Sequence, residues 1–123
     1  MNTELQVTAA GAYEHVINDL ASSFDTPIRL TVTNAGGVIK RLQAKEPADV
    51  VLTSAAGIAQ LVASGLADAT TQTEIARVGL GIAVRKGLSL PELDSAAAVR
   101  AALLSATRVA FIDPQGGGTS GGR

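Results

Sequence analysis

Ile28-Arg29-Leu30-Thr31-Val32-Thr33 runs directly into Asn34-Ala35-Gly36-Gly37 and then into Val38-Ile39-Lys40-Arg41-Leu42. Ile28, Leu30 and Val32 alternate with Arg29, Thr31 and Thr33, the period of a strand with two different faces. The small residues that follow form a tight turn, and Val38, Ile39 and Leu42 recur at the spacing of one helix face. A strand that passes through a short turn into a helix is the repeating unit of parallel, helix-covered sheets.

The same unit is legible on both sides of this stretch. Towards the N-terminus, Leu5-Gln6-Val7-Thr8 alternates as a first strand. Tyr13, Val16, Ile17, Leu20 and Phe24 then mark a helix that ends at Asp25-Thr26-Pro27. Towards the C-terminus, Glu46-Pro47 closes the helix begun at Val38, because the residue before a proline is driven out of helical geometry. Asp49-Val50-Val51-Leu52 is a short continuous apolar strand, the kind buried on both faces. Thr53 and Ser54 offer N-cap hydroxyls to a helix carrying Ile58, Leu61 and Val62, which stops at Gly65. Val78, Leu80, Ile82 and Val84 alternate with Gly79, Gly81 and Ala83, predicting a further strand with something packed closely on its small-residue face. An Ala-rich helix after Asp94-Ser95 is expected to turn Val99 and Leu103 inward. Arg108 to Ile112 is expected to be a last strand, and Asp113 to Gly122 a Gly-rich loop. The resulting order is β-α-β-α-β-α-β-α-β, an α/β chain with a mostly parallel sheet flanked by helices.

Composition removes several classes of function. The 123 residues carry a net charge of −1, and no basic cluster supplies the electrostatic footprint of a nucleic-acid binder. Tyr13, Phe24 and Phe111 are the only aromatic residues, too few for a base-stacking platform. With no Cys and a single His, His15, thiolate sites and disulfides are excluded, and neither a metal nor a cofactor is assigned. No apolar run approaches membrane-spanning length. Met1-Asn2-Thr3-Glu4 lacks the basic start and apolar stretch of a secretory leader, so the chain as written is expected to be unexported unless a leader was removed.

In parallel α/β sheets ligands collect where strands end and helices begin. Ala10, Gly11 and Ala12 form one such junction, and Ala35, Gly36 and Gly37 a second. Gly117, Gly118, Thr119 and Ser120 form a third. All leave backbone amides uncovered by bulky side chains. Amides at a helix N-terminus, helped by the helix dipole, hold an oxyanion without a counter-ion. Tight turns also need small residues when no ligand is involved, so the pattern has an ordinary structural explanation beside the functional one. The Gly-rich tail is no nucleotide loop, because Arg123 stands where that motif needs Lys followed by Ser or Thr and a helix. No Ser-His-Asp arrangement or nucleophile elbow can be drawn, and no catalytic residue is assigned.

Taken in order, several segments resemble the extracellular, periplasmic-type solute-binding proteins of ABC transporters, of the molybdate-binding-like type. They are Ala9-Ala10-Gly11-Ala12, Ala35-Gly36-Gly37-Val38, Glu46-Pro47-Ala48-Asp49-Val50-Val51, Gly79-Leu80-Gly81-Ile82-Ala83-Val84-Arg85-Lys86-Gly87 and Asp113-Pro114 with Gly117 to Gly121. The resemblance implies a type II, two-lobed clamp around a small solute or oxyanion, with a periplasmic or extracellular location and transporter membrane subunits as a partner. Residues 1–77 would be the first lobe, 78–90 a crossing strand and hinge, and 91–123 the start of an incomplete second lobe. The family's hydroxyl donors are replaced here by Gly11 at the first junction and by Ala35 or Gly36 at the second. That departure shifts the expectation from molybdate itself to a small anion held by backbone groups. Two alternatives stand beside it: a truncated chain that self-associates by exchanging elements, with little ligand binding, and an enzyme on the same fold.

Overall fold

Two of the alternating segments and the apolar run at 50–52 pair as parallel strands in the computed structural model, which describes residues 4–111. They are β1 (Leu5–Ala10), β2 (Ile28–Thr33) and β3 (Val50–Leu52), in the order β2-β1-β3. Register runs from Leu5 opposite Ile28 to Ala10 opposite Thr33, and from Val7 opposite Val50 to Ala9 opposite Leu52. The central strand is covered on both faces, so Val7, Thr8, Ala9 and Ala10 are all buried.

The helices α1 (Glu14–Ala21), α2 (Ala35–Gln43) and α3 (Ala55–Ala63) divide between two cores. Ile17 of α1 packs with Val7 and Ala9. Val38, Ile39 and Leu42 of α2 and Leu61 of α3 pack with Ala10 on the other face. The chain moves one way from β1 to β2 and back across β1 to reach β3. Right-handed crossovers then put α1 and α2 on opposite faces. Leu61 and Val38 are the largest fully buried side chains, each contributing roughly 1.5–3 kcal/mol.

Caps set both ends of α2 and α3. Asn34 Oδ1 accepts the Gly37 N–H at 2.7 Å, and Ser54 Oγ accepts the Gly57 N–H at 3.2 Å. At the far end of α3, Gly65 adopts φ 71°, and Leu66 and Gly65 donate back to the carbonyls of Leu61 and Val62. α2 ends in the same motif, with Glu46 and Lys45 donating to Arg41 and Leu42, although the left-handed position is held by Lys45 at φ 60°.

Residues 76–111 form a second compact unit, with one helix, α4 (Ala96–Ser105), capped by Ser95 Oγ accepting the Ala98 N–H at 3.1 Å. Here the structure corrects the sequence-based expectations. Residues 78–84 form no strand: Val78 and Leu80 are each 75% exposed. A Cβ built on Gly79 or Gly81 meets nothing within 4 Å. Alternation defines faces but cannot supply a neighbour, and two interior glycines add backbone entropy that unpaired residues do not offset. Residues 108–111 are likewise outside any strand, and Ile112 onward lies outside the described residues. Leu103 is exposed and not inward, while Val99 is half-buried. In α1 only Ile17 is buried; Val16 and Leu20 face away, and Phe24 lies beyond the helix end. No helix among the described residues is long and apolar enough to cross a membrane.

Candidate functional site

Because the three strands are parallel, their carboxyl ends share one edge of the sheet. β1 leaves that edge through a short 3-10 turn, Gly11–Tyr13, β2 through Asn34 into α2, and β3 through Ser54 into α3. The first two junctions predicted from sequence are neighbours. A Cβ on Gly11 would stand 3.9 Å from Val32 Cγ1 and 4.0 Å from the Thr33 carbonyl oxygen. Ala10 is fully buried in the core beneath them, Gly11 and Ala12 are exposed, and Ala35, Gly36 and Gly37 are half-buried. Gly117 to Ser120 lie outside the described residues.

The amides at the second junction are not equivalent. Asn34 occupies the Gly37 N–H. Ala35 and Gly36, the first two residues of α2, have no intrahelical acceptor for theirs, since the first N–H groups of any helix precede its hydrogen-bond ladder. These two N–H groups are left open at the start of α2.

A junction that sequence reasoning treated only as a cap has the same construction. Thr33-Asn34-Ala35-Gly36-Gly37 and Thr53-Ser54-Ala55-Ala56-Gly57 both place Thr at the strand end, then a cap, then small residues, then Gly. A Cβ on Gly37 would lie 2.2 Å from Thr33 Oγ1 and 3.0 Å from its Cγ2. One on Gly57 would lie 2.9 Å from Thr53 Cγ2 and 3.0 Å from its Oγ1. Each threonine therefore leans on the first turn of the next helix, in space that only glycine leaves open. The signal was present in the sequence as this shared pattern.

Thr53 differs from its counterpart in burial. It is 8% exposed, and among the described residues its Oγ1 is buried without a hydrogen-bond partner. The Tyr13 hydroxyl reaches across from the first junction to donate to the Thr53 carbonyl at 3.5 Å. In a sheet of order 2-1-3 the connections diverge between β1 and β3, which opens a crevice at their carboxyl ends. Tyr13 and Thr53 stand there. They also line a groove of about 760 Å³ that follows the outer edge of β3, walled by Leu42, Val51, Leu52 and Ile58.

Residues 9–12, 33–37 and 53–57 contain no charged side chain. The field at this edge comes from the helix N-termini, which favour an anion over a cation. His15 is exposed in the first turn of α1. Asp68, fully exposed, has its carboxyl held below the usual carboxylate range by hydrogen bonds from the Thr70 hydroxyl and the Thr70 N–H.

A parallel α/β sheet flanked by helices, with small-residue junctions at one edge, is consistent with part of a solute-binding domain. The family of bacterial extracellular solute-binding proteins matches residues 5–122, and the chain belongs to it. A curated relative, the aconitate isomerase of a Pseudomonas species, is 28% identical over 124 residues, which cover 94% of this chain and 47% of the relative. The chain thus spans about half the length of that relative. No solved structure gives a significant match.

Proposed function

We propose that the chain binds a small anionic solute at the carboxyl edge of its sheet, through the backbone amides of the β1 and β2 junctions. The observation that carries this is the pair of N–H groups on Ala35 and Gly36, which lack an intrahelical acceptor, in a neutral edge that Gly11 keeps open. Membership of a solute-binding family supports a binding role. The candidate ligands are a tetrahedral oxyanion such as molybdate and a carboxylate, the latter suggested by the relative's name. In this proposal residues 1–77 act as the first lobe of a clamp, 78–90 as its crossing and hinge, and 91–123 as the start of the second lobe. Membrane subunits of an ABC transporter are the proposed protein partner.

Gly36→Pro tests the role of the amides. It deletes an N–H that makes no intrahelical bond, at a first-turn position where proline is tolerated far better than in a helix interior. Hydrogen bonds to a charged group contribute about 1.5–3 kcal/mol, so binding should fall at least tenfold. Ala35→Ser keeps the amide and adds a hydroxyl, leaving binding unchanged or stronger. A folded Gly36→Pro, checked by circular dichroism, that binds molybdate, sulfate and phosphate like its parent would sink the proposal.

Two further readings each rest on one observation. Self-association is favoured by apolar side chains left exposed, among them Leu80, Leu104 and Phe111; light scattering that gives a clean monomer at high concentration would contradict it. Catalysis on the same fold is favoured by the name of the relative; turnover of aconitate, followed by absorbance, decides it.

A further inference from the structure

The α2 N-terminus leaves the β3–α3 junction unused, yet among the described residues that junction carries a second helix N-terminus and a buried hydroxyl with no partner. Leaving a buried hydroxyl unsatisfied is unfavourable, and such groups in native structures call for an explanation. Thr53 Oγ1 lies against the first turn of α3, 3.0 Å from where a Cβ on Gly57 would stand. The amides of Ala55 and Ala56 open that same turn and, like those of Ala35 and Gly36, precede the helical ladder. Resting on the anion-binding reading above, we propose that the carboxyl edge has two anion subsites and takes a polycarboxylate. One carboxylate sits on the Ala35 and Gly36 amides. The second sits on the Ala55 and Ala56 amides and receives the Thr53 hydroxyl proton.

Geometry selects this ligand class. α2 and α3 cover the same face of the sheet and share one core, and packed helices lie about 8–10 Å apart. Hydrogen bonds of about 2.9 Å at each end leave a gap of roughly 2–4 Å between the two carboxylates. A short carbon chain with carboxylates on separate carbons spans that gap. Acetate and the inorganic oxyanions reach one subsite only. The side chains of the edge are neutral, so both charges are met by helix dipoles and amides.

Ligand-observed NMR on the whole chain with aconitate, succinate, acetate and sulfate tests the proposal. The parent should bind aconitate and succinate at least tenfold more tightly than acetate or sulfate. Thr53→Val keeps the shape of the side chain and removes only the hydroxyl. It should abolish most of that preference and unfold at the same or a higher temperature. Thr53→Ser, which keeps the hydroxyl, should keep the preference. Equal affinity for acetate and aconitate in the parent, or an unchanged preference in Thr53→Val, overturns the second subsite. In that event a loss of acetate binding in Gly36→Pro would still support the α2 site. If the parent binds none of the four, both the second subsite and the anion-binding reading fall.

Discussion

Replacing Gly37 by Ala puts the construction of the second junction under direct test. In an ordinary helix interior Gly→Ala stabilises by about 0.5–1 kcal/mol, because alanine has less backbone entropy to lose. At Gly37 the new Cβ would stand 2.2 Å from Thr33 Oγ1, 3.0 Å from Thr33 Cγ2 and 3.2 Å from Asn34 Oδ1. Thr33 is β-branched and stiff at χ1, and the Asn34 side chain is held by its cap hydrogen bond, so neither yields freely. Overpacking of this kind costs about 1–3 kcal/mol, which exceeds the propensity gain. The net effect should be a loss of roughly 1–2 kcal/mol, read by urea unfolding followed in the far ultraviolet with an unchanged m-value. In a Thr33→Ala background the two closest atoms are gone and only Asn34 Oδ1, at 3.2 Å, stays near. The same substitution should then be neutral to stabilising, by up to about 0.5–1 kcal/mol. Gly57→Ala, whose nearest contacts are 2.9 and 3.0 Å, should be the milder of the two single substitutions. A Gly37→Ala protein as stable as its parent would refute this account of the junction.

Lys45→Gly should stabilise the chain by about 1 kcal/mol, since a left-handed conformation is strained for any residue with a Cβ, and thermal unfolding would show the gain as a rise of several degrees. Thr70→Val should move the Asp68 carboxyl back towards the ordinary range in an NMR titration, because the hydroxyl is the larger cause of its depression. Since the folded value lies below the unfolded one, the stabilisation from Asp68 is complete above the unfolded value. It is lost as pH falls through the folded value; Thr70→Val should narrow that window.

Where strand period, caps and stops are written locally, the sequence was readable. The alternation at Ile28–Val32, the apolar run Val50–Leu52 and the stops at Gly65 and Glu46-Pro47 each describe an element that the structure contains. The run Val50–Leu52 forms the expected strand but is not buried on both faces: β3 lies at the edge of the described sheet, and Val50 is 41% exposed. Strand order was not written in any one segment; it follows from which helices cover which face of β1. The alternation at Val78–Val84 misled because it encodes a face without naming a neighbour, and no neighbour pairs with it among the described residues. Of the candidate site, the first two junctions were visible as small-residue turns. That Asn34 takes the Gly37 amide, so that only Ala35 and Gly36 remain as donors, needed atomic positions. Thr53, which enters only through the proposed second subsite, was not singled out because a threonine before a helix reads as a cap. Its neighbour Ser54 fills that role, and the Thr53 hydroxyl is left over.

The central claim is that backbone amides at the carboxyl edge of the sheet bind the ligand, and amide-resolved NMR mapping tests it most directly. Titrating the labelled chain with molybdate, sulfate, phosphate and aconitate should move the Gly11, Ala35 and Gly36 amides together, with one saturation curve for at least one of the four anions. Residues 45–49, at the opposite edge, should stay in place. If none of the four anions shifts the carboxyl-edge amides, or if the only saturable shifts fall at residues 45–49, the claim is contradicted.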